Sequence, residues 1–106
     1  MFSLFEKSSG TSIHVNELDQ IQEEINLIDI REPYECAHGC HKKARNIPMG
    51  QLMANPNQYM EKHQKYYIVC QSGGRSSSVV AALQRAGYDV VNVKGGMGSY
   101  TGRNMK

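Results

Sequence analysis

Residues 67–76 read YIVCQSGGRS, and this stretch decides the fold. Apolar residues lead into Cys70, glycines follow at positions 73 and 74, and Arg75 opens a segment with helical spacing of apolar residues. That order predicts a buried strand, a tight turn and the start of a helix. The sulfur of Cys70 should then lie at the carboxyl edge of a sheet, facing the unpaired backbone N–H groups of a helix N-terminus.

This position of Cys70 favours a thiolate, because a helix N-terminus carries partial positive charge. Loop N–H groups and Arg75 would favour it further. Gly73 and Gly74 suit the turn, since N–H groups converge on one point only where the backbone bends tightly without Cβ atoms in the way. The alternative is a cysteine that merely ends a core strand, because free cysteine is commonly buried. The combination of strand end, glycines, arginine and helix start favours a functional site.

The rest of the chain alternates short apolar runs with helical patterns. Strands are predicted at residues 12–15, 25–30, 45–47, 66–70 and 90–93. A helix is predicted at residues 75–86, where apolar residues recur every three or four positions and Gly87 suits the helix end. Shorter helices are predicted from an Asn16 cap to about residue 23, from Pro33 through 38, and from Pro56 through about 64. Strands separated by such crossovers predict an open parallel α/β sheet with helices on both faces, in one domain of residues 1–106.

Composition excludes several classes of function. The 106 residues are 40% hydrophobic, with 12 basic and 10 acidic side chains and a net charge of +2. No apolar stretch approaches the roughly 20 residues of a membrane span, and no secretory signal is evident, so we expect a cytoplasmic protein without a membrane partner. The basic cluster of His41, Lys42, Lys43 and Arg45 is typical of a solvated loop, and we expect no nucleic-acid partner. The three cysteines are expected to be thiols.

Four motifs together resemble the rhodanese-like sulfurtransferases. The loop CQSGGRS places four residues between Cys70 and Arg75, as that family does. Residues 27–33, LIDIREP, are similar to its L-x-D-x-R-x-P signature. Residues 46–48, NIP, and the Gly-Gly turn at 95–96 are similar to two further family elements. The resemblance covers about residues 12–100 and implies the family's fold.

The resemblance implies a two-step transfer of sulfur without a cofactor. Cys70 would take sulfane sulfur from thiosulfate, a polysulfide or a persulfide, and pass it to cyanide or an acceptor thiol. A protein persulfide is a further possible partner. Backbone N–H groups of the loop would stabilise the persulfide charge, with Arg75 bracing the loop and attracting anions. The substrate-binding loop implied by the resemblance consists of Gln71, Ser72, Gly73, Gly74 and Ser76.

Two further groups of residues leave alternatives open. Family position places Asp29 and Arg31 at the pocket rim, although a salt bridge that holds the Pro33 turn explains them as well. Ligand-type side chains occur at Cys36, His38, Cys40 and His41, but their spacing matches no standard zinc pair, so no metal is predicted.

Two rival functions compete with sulfur transfer. A cysteine-dependent phosphatase or arsenate reductase of related fold also attacks from an N–H-lined loop, but with five residues between its cysteine and arginine. A non-catalytic rhodanese-like binding module is the second rival, and such modules often lack the cysteine. Because Gln71 is neutral where some relatives carry a cation, thiosulfate is expected to be a mediocre donor.

Overall fold

The computed structural model describes residues 12–106. Within them, the strands are β1 Ser12–His14, β2 Asn26–Asp29, β3 Ala44–Asn46, β4 Lys65–Val69 and β5 Asp89–Lys94. They form one sheet in the order β1-β5-β4-β2-β3, and each neighbouring pair is parallel. All the carboxyl ends of the strands therefore lie at one edge of the sheet, and Cys70, the residue after β4, lies at that edge.

Helices cover both faces of the sheet. The α-helices in the described chain are α1 Pro33–Ala37, α2 Met49–Ala54 and α3 Gly74–Arg85, with 3-10 turns at Val15–Gln20, Pro56–Gln58 and Met97–Ser99. On one face α2 and α3 pack against the central strands through Leu52, Val79, Val80 and Leu83. On the other, Val15 and Leu18 of the first 3-10 turn pack with Leu27, Val69 and Val93. The expected open parallel α/β fold is confirmed.

Most predicted elements are present within a residue or two. Helix α3 spans Gly74–Arg85, and Gly87 after it has the left-handed φ of +98° that favours glycine. The helix predicted from Pro56 to about residue 64 is wrong, since only the turn Pro56–Gln58 forms. The helix of that crossover is α2, which Pro48 precedes as N-cap. Residues 49–54 are too few to show a clear helical repeat of apolar residues, so the sequence did not predict this helix.

The first helical segment also differs from the prediction. It is a 3-10 turn that ends at Gln20, and His14 rather than Asn16 is its N-cap. The His14 ring accepts the backbone N–H of Asn16 at 3.1 Å, and the Glu17 carboxylate accepts the N–H of His14 at 3.2 Å. This reciprocal capping box begins the helical turn two residues earlier than the Asn16 cap would have done.

His41 is fully buried, which corrects the prediction that it belongs to a solvated basic loop. Its Nδ1 accepts the backbone N–H of Lys43, and its Nε2 lies 3.0 Å from an Asp19 carboxylate oxygen. Tyr100 donates its hydroxyl to the same carboxylate at 2.6 Å. The network fixes the C-terminal segment beside β3, where Met105 pairs with His41 in an isolated bridge.

No helix of the described residues is long and apolar enough to span a bilayer.

Candidate active site

Cys70 lies directly after β4 and immediately before the loop that leads into α3. Its sulfur is buried and receives the backbone N–H of Gly73 at 3.1 Å and that of Ser76 at 3.3 Å. Gly73 is the N-cap of α3 with a left-handed φ of +105°, a conformation that a residue with a Cβ rarely adopts. The turn thus aims loop and helix N–H groups at one sulfur atom.

The hydroxyl of Ser76 adds a polar contact on the protein side of the sulfur. Ser76 is fully buried, and the S–H of Cys70 reaches its Oγ at 3.4 Å. The same hydroxyl lies 2.6 Å from the side-chain oxygen of Asn92 on β5. Asn92 therefore orients Ser76, a contact that no sequence pattern indicated because the two residues are 16 positions apart.

The surroundings of Cys70 favour its ionised form. Burial raises the pKa of the thiol, but in the ionised form the Ser76 hydroxyl and the N–H groups of Ser76, Gly73 and Ser72 donate to the sulfur, and these hydrogen bonds outweigh burial. The pKa of Cys70 therefore lies below its ordinary value. A lowered thiol pKa in an N–H-lined loop is typical of a reactive cysteine.

The turn after β5 holds the loop from the other side. The N–H of Met97 donates to the Cys70 carbonyl and that of Gly98 to the Gln71 carbonyl, both at 2.8 Å. Gly96 has a φ of +63°, and a Cβ there would collide with the backbone of Gln71 and Cys70. Only glycine permits this approach, which gives the predicted Gly-Gly turn its physical role.

Arg75 is committed to an ion pair with Glu35 of α1. Its two terminal nitrogens donate to the two carboxylate oxygens at 3.0 and 2.9 Å. This bidentate pair lowers the pKa of Glu35 to about 2. The backbone N–H of Glu32, which donates to the Glu35 carboxylate, lowers this pKa further. Arg75 therefore braces the loop against α1, and its charge is balanced by a carboxylate.

Asp29 and Arg31 form the buried salt bridge that the sequence left as one of two alternatives. Asp29 is fully buried, and Arg31 donates its Nε and Nη2 to the Asp29 carboxylate at 2.8 to 3.1 Å. The remaining nitrogen, Nη1, donates to the Gln71 side-chain oxygen at 3.0 Å, and Nη2 also donates to the Gly39 carbonyl. Arg31 thus reaches the wall beside the loop as well.

A cavity of about 500 Å³ opens beside this loop. The cavity is lined by Arg31, Tyr34, Glu35, His38, Gly39, Gln71, Met97 and Met105. Cys70 does not line this cavity, because its side chain is almost fully buried. Of the predicted residues, Gln71 and Arg31 border the cavity, Gly73 and Ser76 contact the sulfur, and Ser72 and Gly74 are exposed beside them.

The cysteines at 36 and 40 are joined in a disulfide, which corrects the expectation that they are thiols. The expectation weighed only the cellular compartment, whereas the turn after α1, with Gly39 at a φ of +146°, brings the two Cα atoms within 4.8 Å. His38 and His41 turn elsewhere, toward the Tyr34 carbonyl and Asp19. The four ligand-type side chains noted in the sequence therefore do not converge on one point.

Two contacts of the site were missed by sequence reasoning: Glu35 as the partner of Arg75, and Asn92 as the partner of Ser76. An arginine in a loop signals that a carboxylate is needed, but a partner 40 positions away cannot be identified without the topology.

The comparisons with known proteins show similarity in sequence and in fold. The family model described as Rhodanese-like domain matches residues 14–103. A Bacillus subtilis protein named "Putative sulfurtransferase YtwF" is 37% identical over 83 residues, which cover 78% of this chain and 80% of that protein. An Allochromatium vinosum protein named "Sulfurtransferase" is 36% identical, covering 71% of this chain and 70% of its own. The crystal structure of a rhodanese-like domain protein from Staphylococcus aureus superposes with a TM-score of 0.81 at 35% identity, covering 91% of this chain and 96% of that one.

Proposed function

The chain belongs to the rhodanese-like domain family, and from that premise we propose that it transfers sulfane sulfur through a persulfide on Cys70. The observation that carries the proposal is the pair of backbone N–H groups, from Gly73 and Ser76, that point at the Cys70 sulfur. They are fixed in place before any substrate binds, so they stabilise negative charge on sulfur without reorganisation. The relatives named sulfurtransferases support the same reaction class.

The first step is attack by the Cys70 thiolate on the outer sulfur of a donor. With thiosulfate, the new bond joins Cys70 to that sulfur, the donor's sulfur–sulfur bond breaks, and sulfite departs with its electron pair. With a small persulfide, the leaving group is a thiolate. The lowered pKa of Cys70 increases the fraction of the thiol that is present as the nucleophilic thiolate.

The second step returns the enzyme to its starting state. A thiophilic acceptor, cyanide or a thiolate, attacks the terminal sulfur of the persulfide and leaves with it, and Cys70 departs as thiolate. The same N–H groups hold the charge on sulfur in both states of the cycle. Neither step requires a metal or an organic cofactor.

The charge around the loop favours donors of low charge. Arg75 is neutralised by Glu35, and Arg31 by Asp29. Gln71 adds no charge of its own. A dianion such as thiosulfate therefore meets little net attraction, whereas a small persulfide or a persulfide carried by a protein has less charge to neutralise and depends less on such attraction.

The test is the intact mass of the protein after exposure to polysulfide, followed by peptide mapping. We expect wild type to gain one sulfur atom on the peptide of residues 66–75 and to lose it to cyanide. Cys70→Ser should gain none, while the double variant Cys36→Ser, Cys40→Ser should retain the transfer.

The same preparations should be assayed with a small aryl phosphate. Four residues between Cys70 and Arg75 leave room for one added sulfur but not for a tetrahedral oxyanion, so no turnover is expected. Hydrolysis that depends on Cys70, or failure to acquire sulfur from every donor tried, would overturn the proposed function.

A further inference from the structure

Cys36 and Cys40 form a second sulfur centre that the proposed transfer reaction does not use. Their sulfurs are joined across the turn that follows α1, with Cα atoms 4.8 Å apart. We propose that this pair is a redox-active site that cycles between disulfide and dithiol, and that its state sets the reactivity of Cys70. The second part of the proposal rests on the proposed role of Cys70 as the reactive thiol.

The surroundings of the pair accommodate both states. The Asp29 oxygen Oδ2 lies 3.8 Å from the Cys36 sulfur and 3.6 Å from the Cys40 sulfur, within reach of an S–H donor from each. In the disulfide state the same carboxylate is satisfied by Arg31. Neither state therefore leaves a buried donor or acceptor without a partner. An unpaired buried polar group is the usual energetic cost of such a change in a protein interior, and it is avoided here.

The pair is also asymmetric in exposure. Cys36 is half-buried on α1, next to exposed residues, whereas Cys40 is only 4% exposed. A small dithiol can therefore attack Cys36, and the Cys40 thiol is released beneath it. In the full exchange the Cys36–Cys40 bond breaks, the reductant's two sulfurs join, and two electrons with two protons pass to the protein.

A metal centre is a weaker interpretation of the same residues. Asp29, Cys36 and Cys40 place ligand atoms within 4.8 Å of one another. However, the Asp29 carboxylate is occupied by Arg31, whose positive charge opposes a cation at this place. The two nearby histidine rings point to other partners.

Two chains of contacts connect the pair to the Cys70 loop. The first runs through Asp29 to Arg31, and from Arg31 Nη1 to the side chain of Gln71, the residue after Cys70. The second starts at Glu35, the residue before Cys36, and crosses to Arg75 at the start of α3. The segment between the paired cysteines also supplies His38 and Gly39 to the wall of the cavity.

The direction of the coupling follows from these contacts. Reduction creates two S–H donors that compete with Arg31 for the same Asp29 oxygen. It also breaks the Cys36–Cys40 bond, which closes the turn directly after Glu35. Glu35 then holds Arg75 less firmly, so more of the Arg75 charge acts on Cys70 and favours its thiolate. We therefore expect Cys70 to react faster when the pair is reduced.

The first experiment measures the redox pair in the full chain carrying Cys70→Ser. The protein is equilibrated in mixtures of oxidised and reduced dithiothreitol, quenched by alkylation, and cut with trypsin, which places Cys36 and Cys40 together in the peptide of residues 32–42. We expect a reversible two-electron titration in which that peptide carries either no label or two. Labels on both cysteines under fully oxidising conditions, or a disulfide that dithiothreitol opens only after denaturation, would overturn the redox site.

The second experiment measures the alkylation rate of Cys70 by iodoacetamide in wild type, with the pair first oxidised or reduced and dithiothreitol removed. Cys70 is followed on its own peptide, residues 66–75. We expect a rate about two- to tenfold higher in the reduced form, the effect of one lost or weakened hydrogen bond. The matched control is Cys36→Ser with Cys40→Ser, whose rate should not respond to pretreatment. Equal rates in wild type, or a slower rate after reduction, would overturn the coupling. Neither experiment depends on sulfur transfer, so the two proposals fail separately.

Discussion

Glu35 accepts two parallel hydrogen bonds from Arg75, at 3.0 and 2.9 Å, and this pair joins the short helix α1 to the first turn of α3. The pair sits at the mouth of the loop that holds Cys70, and its side chains are 19% and 37% exposed. An arginine in such a loop is ordinarily regarded as an attractor of anions. Here the carboxylate cancels that attraction, and the main contribution of Arg75 is to fix the loop.

Glu35→Gln should strengthen the binding of an anionic donor. The amide keeps the size of the side chain and one acceptor for Arg75, but it removes the balancing charge. We expect the KM for thiosulfate to fall by about two- to fivefold at low salt, and less at high salt, because the added attraction is screened. Steady-state kinetics at two ionic strengths measure the effect. The matched control is Glu24→Gln, an exposed position before β2, and a KM that is unchanged or higher in Glu35→Gln contradicts the interpretation.

The Glu35–Arg75 pair should also make stability depend on acid. The folded-state pKa of Glu35 is about 2, against an ordinary value of 4.5. A carboxyl with a depressed folded pKa contributes stability above its unfolded pKa, and the contribution disappears as pH falls toward the folded pKa. The free energy of unfolding of wild type should therefore exceed that of Glu35→Gln at pH 6, and the difference should shrink from about pH 4.5 to pH 2. Urea titrations across this range provide the measurement, and a constant difference would argue against it.

Ser76→Ala should raise the pKa of Cys70, because the Ser76 hydroxyl is the largest of the hydrogen-bonding influences that lower it. The pH profile of Cys70 alkylation should shift to higher pH, and the rate at pH 7 should fall by about two- to tenfold, as for the loss of one hydrogen bond. Ser78→Ala, on the exposed side of the same helix, is the control for helix propensity. If both variants behave like wild type, the hydroxyl does not act on the sulfur.

Gly96→Ala should disrupt the turn that follows β5. The backbone there has a φ of +63°, and an added Cβ meets the Cys70 carbonyl oxygen at 2.6 Å. We expect a loss of about 1–3 kcal/mol in the free energy of unfolding, the usual range for strained backbone, with loss of Cys70 reactivity. Gly50→Ala in α2 meets nothing within 4 Å and should instead stabilise by about 0.5–1 kcal/mol. Chemical denaturation of the two variants compares them, and similar stabilities would refute the role of the turn.

Gln71→Arg tests whether neutral charge at this position limits thiosulfate. Gln71 is exposed at the cavity and accepts a hydrogen bond from Arg31. A cation there should lower the KM for thiosulfate at low salt, while the uncharged Gln71→Met variant, which also loses the acceptor, should not. A KM that stays the same or rises in Gln71→Arg at low salt would show that the neutral side chain is not the limiting factor.

The sequence by itself determined the fold class and the position of Cys70 at the end of a strand. Short β-branched and aromatic runs predict buried parallel strands wherever they occur, and the 3.6-residue spacing after Arg75 predicts α3, because both patterns are local. The strand, glycine turn and helix around Cys70 follow from neighbouring residues alone. For the same reason the order of motifs was enough to predict the family.

Only the tertiary structure decided which side chains meet. The pairs Glu35–Arg75 and Ser76–Asn92 join different crossovers and strands, so their partners depend on the order β1-β5-β4-β2-β3 and not on spacing. The burial of His41 likewise depends on Asp19 and Tyr100, at opposite ends of the described chain. The Cys36–Cys40 bond is closer in sequence, yet it required the turn at Gly39 to bring the two backbones together. Long-range contacts of this kind carry no periodic signal, because loop topology and not local propensity selects the partner.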